Sequence, residues 1–171
     1  MLRWNAFAEL RPDLAAQGRK LFYDHDVGLG FLATVRPDGG PRVHPICPVF
    51  SEAGLFAFIV PGPKLNDLHR DPRYSLHCET YPPPNHDDAF MMSGVVDWVR
   101  DGELRNLLAR QFLGERQLSE PWPGFDQQDL IEFTFDRCLL TLTNTRDGLS
   151  DGHTVWREEP ARVKRRFRQS T

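Results

Sequence analysis

Three short apolar runs follow one another between residues 28 and 60, and the turns between them permit only antiparallel pairing. Residues 28–36 read GLGFLATVR, residues 41–50 read PRVHPICPVF, and residues 55–60 read LFAFIV. Pro37-Asp38-Gly39-Gly40 separates the first two. Proline presets φ for the first turn position, and the glycines accept positive φ. Glu52-Ala53-Gly54 separates the second run from the third. A parallel pair needs a crossover of about a dozen residues or more, so the three runs predict a meander. Pro45 and Pro48 cannot donate to a ladder. They predict an edge, a bulge or a side that faces a ligand.

The rest of the chain extends this pattern. Residues 61–71 (PGPKLNDLHRD) place Leu65 and Leu68 three apart among polar neighbours, which predicts a short helix with Pro63 near its start and Pro72 ending it. Residues 74–80 alternate as a strand. Residues 89–100 (AFMMSGVVDWVR) form another, with Gly94 marking a bulge or a close approach. Residues 101–114 predict a helix capped by Asp101 and closed by Gly114, with Leu104, Leu107, Leu108 and Phe112 on its apolar face. Residues 131–135 and 138–143 predict a hairpin turning at Asp136-Arg137, and residues 154–157 a further short strand. Near the N-terminus, residues 5–24 have helical spacing through Leu10, Leu14, Leu21 and Phe22, with Pro12 tolerated in a first turn. The expectation is a mainly β protein, an antiparallel barrel or sheet with peripheral helices. It forms one domain over residues 1–158, followed by a basic tail at 159–171.

Composition excludes several classes. A chain of 171 residues supports one sizeable core. Its formal net charge of -3 does not suit nucleic acid or an anionic membrane, despite the local run RVKRRFR at residues 162–168. No run approaches the roughly 20 apolar residues of a membrane span, and residues 1–14 lack the apolar core of a secretory signal. Cys47, Cys78 and Cys138 are odd in number and widely spaced. They predict free thiols in a reducing cytoplasm. His86, Asp87 and Asp88 lie in a segment that reads as a solvated loop, so no metal is expected there.

The candidate chemistry centres on two cations. A helix N-terminus at Pro63-Lys64 offers free backbone N–H groups to a phosphate, and Lys64 adds a full charge. Arg42 lies on a preceding strand, and its forked guanidinium suits phosphate. Read from the residues alone, the pair is either a phosphate grip or two solvated surface cations. His44 either faces the same ligand or points to the opposite side of the sheet.

Residues 31–94 resemble the pyridoxamine 5'-phosphate oxidase-like, FMN-binding split β-barrel family. The likeness is carried by FLATVRPDGGPRVHPI, LFAFIV, PGPKLNDLHRDPRYSLH and AFMMSGVV, in that order and with the family's spacing between Arg42 and Lys64. The resemblance implies an antiparallel split barrel acting as a homodimer, with FMN at the two-fold interface. Arg42 and Lys64 would hold the flavin phosphate, with Pro63 beside it. Val43, His44, Pro45 and Ile46 would follow the ring edge, and Phe58, Ile59 and Val60 would line ring and ribityl chain. Trp98, Trp122 and Trp156 are either contacts to the partner's site or core residues. An 8-hydroxy-5-deazaflavin coenzyme fits the same grip, with Arg70 and Arg73 as added cations for its longer tail. The implied activity is a flavin-dependent oxidoreductase acting on a small organic substrate. A non-catalytic flavin- or haem-binding module is the alternative, and a cofactor site reduced to a vestige is a further one. Oxidation of vitamin B6 is not implied. Cys47 stands where those oxidases carry a substrate-facing lysine, Gly62-Pro63 replaces a serine-arginine pair, Ala89 falls where a glutamine is expected, and the C-terminal arginine-histidine-arginine signature is absent.

Overall fold

The chain enters its sheet at once. In the computed structural model, which describes residues 1–80, 87–143 and 152–159, Leu2–Arg3 (β1) pairs with the longest strand of the molecule. Two helices follow, α1 over Trp4–Leu10 and α2 over Pro12–Phe22. The sequence predicts one helix here. It breaks at Arg11 because Pro12 disfavours helical backbone in the residue before it; Arg11 has φ -136° and ψ 68°. Leu10, at the end of α1, is consequently exposed.

The strands are β2 (Gly30–Val35), β3 (Pro41–Ile46), β4 (Pro48–Ser51) and β5 (Gly54–Ile59). After α3 (Pro63–Arg70) come β6 (Arg73–Cys78) and β7 (Ala89–Trp98). Helix α4 (Gly102–Glu115) precedes β8 (Asp129–Thr141) and β9 (His153–Arg157). The strand order is β3-β2-β6-β7-β8-β5-β4, antiparallel throughout. Its two ends, β3 and β4, are consecutive in the chain and joined through Cys47 alone. The sheet therefore curls on itself into a split barrel. The run 41–50, predicted as one strand, is thus two, each at an edge, as its prolines require. The meander survives only as two hairpins, β2-β3 and β4-β5, in different halves of the barrel.

One predicted hairpin is absent. Residues 129–141 form a single strand whose one edge carries β5, β1 and β9 in succession. Opposite Asp136 the ladder to β7 slips, with Ser93 facing Arg137 and Gly94 facing Phe135. Asp136-Arg137 is therefore a bulge. It has neither glycine nor proline to reverse the chain, and Asp136 is the extra residue. A Cβ on Gly94 would stand 2.0 Å from the Thr134 carbonyl oxygen, so only glycine fits the slip.

The barrel interior is rich in aromatic side chains. Trp4, Phe7, Phe22, Phe50, Phe90 and Phe135 are buried together, with Trp4 and Phe50 edge to face at 4.6 Å. Trp156 belongs to this core, 4.9 Å from Phe7. A second cluster lies outside the barrel wall. There Val49, Phe56, Phe58 and Leu130 pack under Leu108 and Phe112 of α4. Asp101 caps that helix by accepting from the backbone of Glu103 and Leu104. The predicted apolar face of α4 is narrower than expected, because Leu107 is exposed. Among the described residues no helix is long and apolar enough to cross a membrane. The segments 81–86 and 160–171, which include His86 and the basic run, lie outside the described residues.

Candidate functional site: a cationic cradle at the start of α3

Alternation along β3 sorts the predicted site residues. Pro41, Val43 and Pro45 point outward and are exposed, whereas Arg42, His44 and Ile46 point inward. His44 faces Leu32 of β2, which faces Leu76 of β6, so it ends a buried cross-strand row. Its Nε2 is buried and has no hydrogen-bond partner among the described residues. Among the described residues β3 pairs with β2 alone, so its other edge of N–H and C=O groups carries no strand.

Helix α3 lies against the inward face, and the two elements are tied at Asp67. That carboxylate is 2% exposed. Its Oδ2 accepts from Thr34 Oγ1 at 3.0 Å and from Arg42 Nε at 2.7 Å. Its Oδ1 accepts from Arg70 Nη1 at 3.4 Å. Burial pulls the Asp67 pKa up, but the hydrogen bonds and charges of Arg42, Thr34 and Arg70 outweigh it and the carboxyl sits below its ordinary range. Arg42 Nη1 and Nη2 make no hydrogen bond to the described residues, and the side chain is 29% exposed.

Lys64 stands at the first turn of α3. It is half-buried and forms no ion pair among the described residues. Burial lowers its pKa from the ordinary 10.5, and the Cys47 sulfur nearby opposes the shift. The preceding Gly62 has φ 154°, a conformation that side chains rarely adopt, and it leaves the helix start without a side-chain cap. Pro63 has no N–H, so the first free donors belong to Lys64 and Leu65. Asp67 ties Arg42 to the helix whose uncapped start carries Lys64, so these two cations and that start are the candidate for a small positive cradle. Its chemistry suits an oxyanion such as a phosphate monoester.

The other predicted residues are placed differently. Ile59 is fully buried in the barrel core, and Phe58 is closed in by Phe112 and Phe125. Neither side chain is open to a ligand. Val60 is exposed in the turn before α3. Trp98 stacks on His69 at 4.1 Å, and His69 Nε2 lies 3.1 Å from Asp129 Oδ2. Trp122 is largely exposed against Phe125. Among the described residues no three His, Cys, Asp or Glu side chains gather as a metal site. Thr34 and Asp67 escaped the sequence reading. The one available signal was an acid beside the apolar pair Leu65 and Leu68, on the face a helix buries.

No family model matches the sequence, and no curated protein matches it. Solved structures do. A Listeria innocua protein carrying the pyridoxamine 5'-phosphate oxidase name is 15% identical and superposes with a TM-score of 0.58, covering 77% of this chain and 97% of that one. A FAD-binding protein from Mesorhizobium loti is 22% identical, with a TM-score of 0.55 over 72% of this chain and 91% of that one. The haem storage protein HutZ of Vibrio cholerae is 18% identical, with a TM-score of 0.58 over 80% of this chain and 99% of that one. The chain thus has the pyridoxamine 5'-phosphate oxidase-like split-barrel fold. Proteins with this fold include both flavin binders and haem binders.

Proposed function

We propose that this chain is a homodimeric oxidoreductase that binds FMN through the cradle of Arg42, Lys64 and the start of α3. The observation that carries the reading is Arg42. Its Nε is committed to Asp67 on α3, and among the described residues its terminal nitrogens have no partner and neither does Lys64 at the uncapped start of that helix. Two half-buried cations without a shared anion favour binding one. The open edge of β3 is available to the polar rim of the ring, with His44 Nε2 as a further unpaired group. FMN, when bound, supplies hydride acceptance and donation. The chain holds its phosphate, orients the ring against β3 and keeps water out. The substrate is a small organic molecule. A deazaflavin coenzyme is the weaker fit, because both terminal nitrogens of Arg70 are engaged, by Asp67 and the Val35 carbonyl, and Arg73 grips Asp71 through Nε and Nη2, whereas Arg42 is held through Nε alone.

The homodimer is supported by the outer face of the barrel. Pro45, Phe31, His77, Met91, Leu139 and Val155 lie opposite one another across six successive strands. Five of the six are apolar and none is buried in the single chain. This row adjoins β3, so a second copy docked there also shields the ring site. Three unpaired thiols favour a cytoplasmic location.

A non-catalytic haem-binding module is the second reading. It is favoured by the buried, unpartnered Nε2 of His44, a nitrogen suited to iron. An absorbance spectrum of the purified protein, with the mass of the released cofactor, separates the two. Flavin bands that bleach with reductant, together with the mass of FMN, are expected. A Soret band or a colourless protein that does not take up FMN would overturn the assignment.

A further inference from the structure

We infer that Asp67 is a positioning residue for anion capture, aiming the terminal nitrogens of Arg42 at the bound phosphate. The inference rests on the proposed phosphate cradle and assigns a role within it to a residue that does not touch the ligand.

An arginine on an edge strand has four side-chain torsions to lose before it can grip an anion. Here that freedom is removed in advance. Arg42 Nε is fixed at 2.7 Å from Asp67 Oδ2, and the same oxygen is fixed by Thr34 Oγ1 at 3.0 Å. Thr34 sits directly opposite Arg42 in the β2-β3 ladder and is buried. The Asp67 carboxylate is held a third time by Arg70, which also donates to the Val35 carbonyl. Anchoring the guanidinium through Nε leaves the Nη1/Nη2 end free, the end that forms parallel hydrogen bonds to two oxygens of one phosphate. Asp67 lies on the helix that carries Lys64, three residues further on. One carboxylate thus fixes the Arg42 side chain with respect to the helix start that completes the cradle.

Simple electrostatics and positioning predict opposite signs for one substitution. A carboxylate near a phosphate repels it, so Asp67→Asn tightens FMN binding if charge alone matters. It weakens binding if Asp67 aims Arg42, because a neutral amide holds the guanidinium less firmly. FMN and riboflavin, which lacks the phosphate, are titrated against the wild-type chain, Asp67→Asn, Arg42→Ala and the double variant, with thermal melting as a control. Asp67→Asn is expected to weaken FMN about tenfold, which corresponds to roughly 1.4 kcal/mol, and to leave riboflavin unchanged. In the Arg42→Ala background it is expected to cause no further weakening, the signature of a residue acting through Arg42. Unchanged or tighter FMN binding in Asp67→Asn, with Arg42→Ala still damaging, overturns the positioning role and leaves the cradle standing. No effect of Arg42→Ala overturns both. Should Asp67→Asn fail to fold, Thr34→Val removes one anchor of the same oxygen and keeps the charge. It is then expected to lower the FMN-to-riboflavin affinity ratio, and an unchanged ratio refutes the inference.

Discussion

β3 and β5 are both six residues long, and the resemblance assigns residues on each to the same cofactor. β5 is buried at all six positions. Its inner side chains join the barrel core, and its outer ones pack under α4. β3 alternates between exposed and covered residues, lies at the edge of the sheet and carries the charged and imidazole groups of the cradle. The difference teaches where side-chain chemistry can reside in this barrel. A strand covered on both faces by its own chain has spent its side chains on stability. A strand open on one face and one edge still has them to offer. The sequence already shows the contrast, since LFAFIV is continuously apolar and PRVHPI alternates.

Substitution in β5 sharpens the comparison most. Phe58→Ala removes a ring held between Phe112 and Phe125, and it is expected to cost about 3–5 kcal/mol of folding stability. Urea unfolding measures the loss. FMN affinity of the folded variant should stay within about twofold of wild type, since no new group faces the cradle. A large affinity loss with little change in stability would break the comparison.

Much of this is legible in the sequence, because local chemistry decides it. The Pro37–Gly40 turn, the Asp101 cap and the glycine at the β7 slip each follow from residues adjacent in sequence. What escaped was decided by distant pairing. Asp136-Arg137 looks like a turn until β7 and β9 are seen flanking it on both sides. The bend at Cys47 is visible as awkward prolines, but only the sheet order shows that it closes the barrel. Arg42 and Lys64 were legible as cations. Asp67 and Thr34 were not, because an acid and a hydroxyl become an anchor only when β2, β3 and α3 meet.

A smaller effect belongs to Lys64. Burial lowers its pKa from the ordinary 10.5. In the proposed site the charged lysine holds the phosphate, so affinity should be complete below the Lys64 pKa and fall as pH rises through it. The fall should begin at a lower pH than an ordinary lysine gives. Its size should be about tenfold to a hundredfold, in keeping with the roughly 1.5–3 kcal/mol of a charged hydrogen bond. FMN titrations at successive pH values measure the step, and Lys64→Met should abolish it.

The phosphate cradle is tested most directly by comparing FMN and riboflavin affinity in the wild-type chain and in Arg42→Ala with Lys64→Ala. Two charged hydrogen-bond donors imply that the wild type prefers FMN by about 100-fold or more. The double variant should bind FMN and riboflavin alike, and it should melt below wild type, because losing Arg42 leaves the buried Asp67 carboxylate to Thr34 and Arg70. Equal affinity for both ligands in the wild type, or a preference that survives the double substitution, would contradict the assignment of Arg42 and Lys64 to a flavin phosphate.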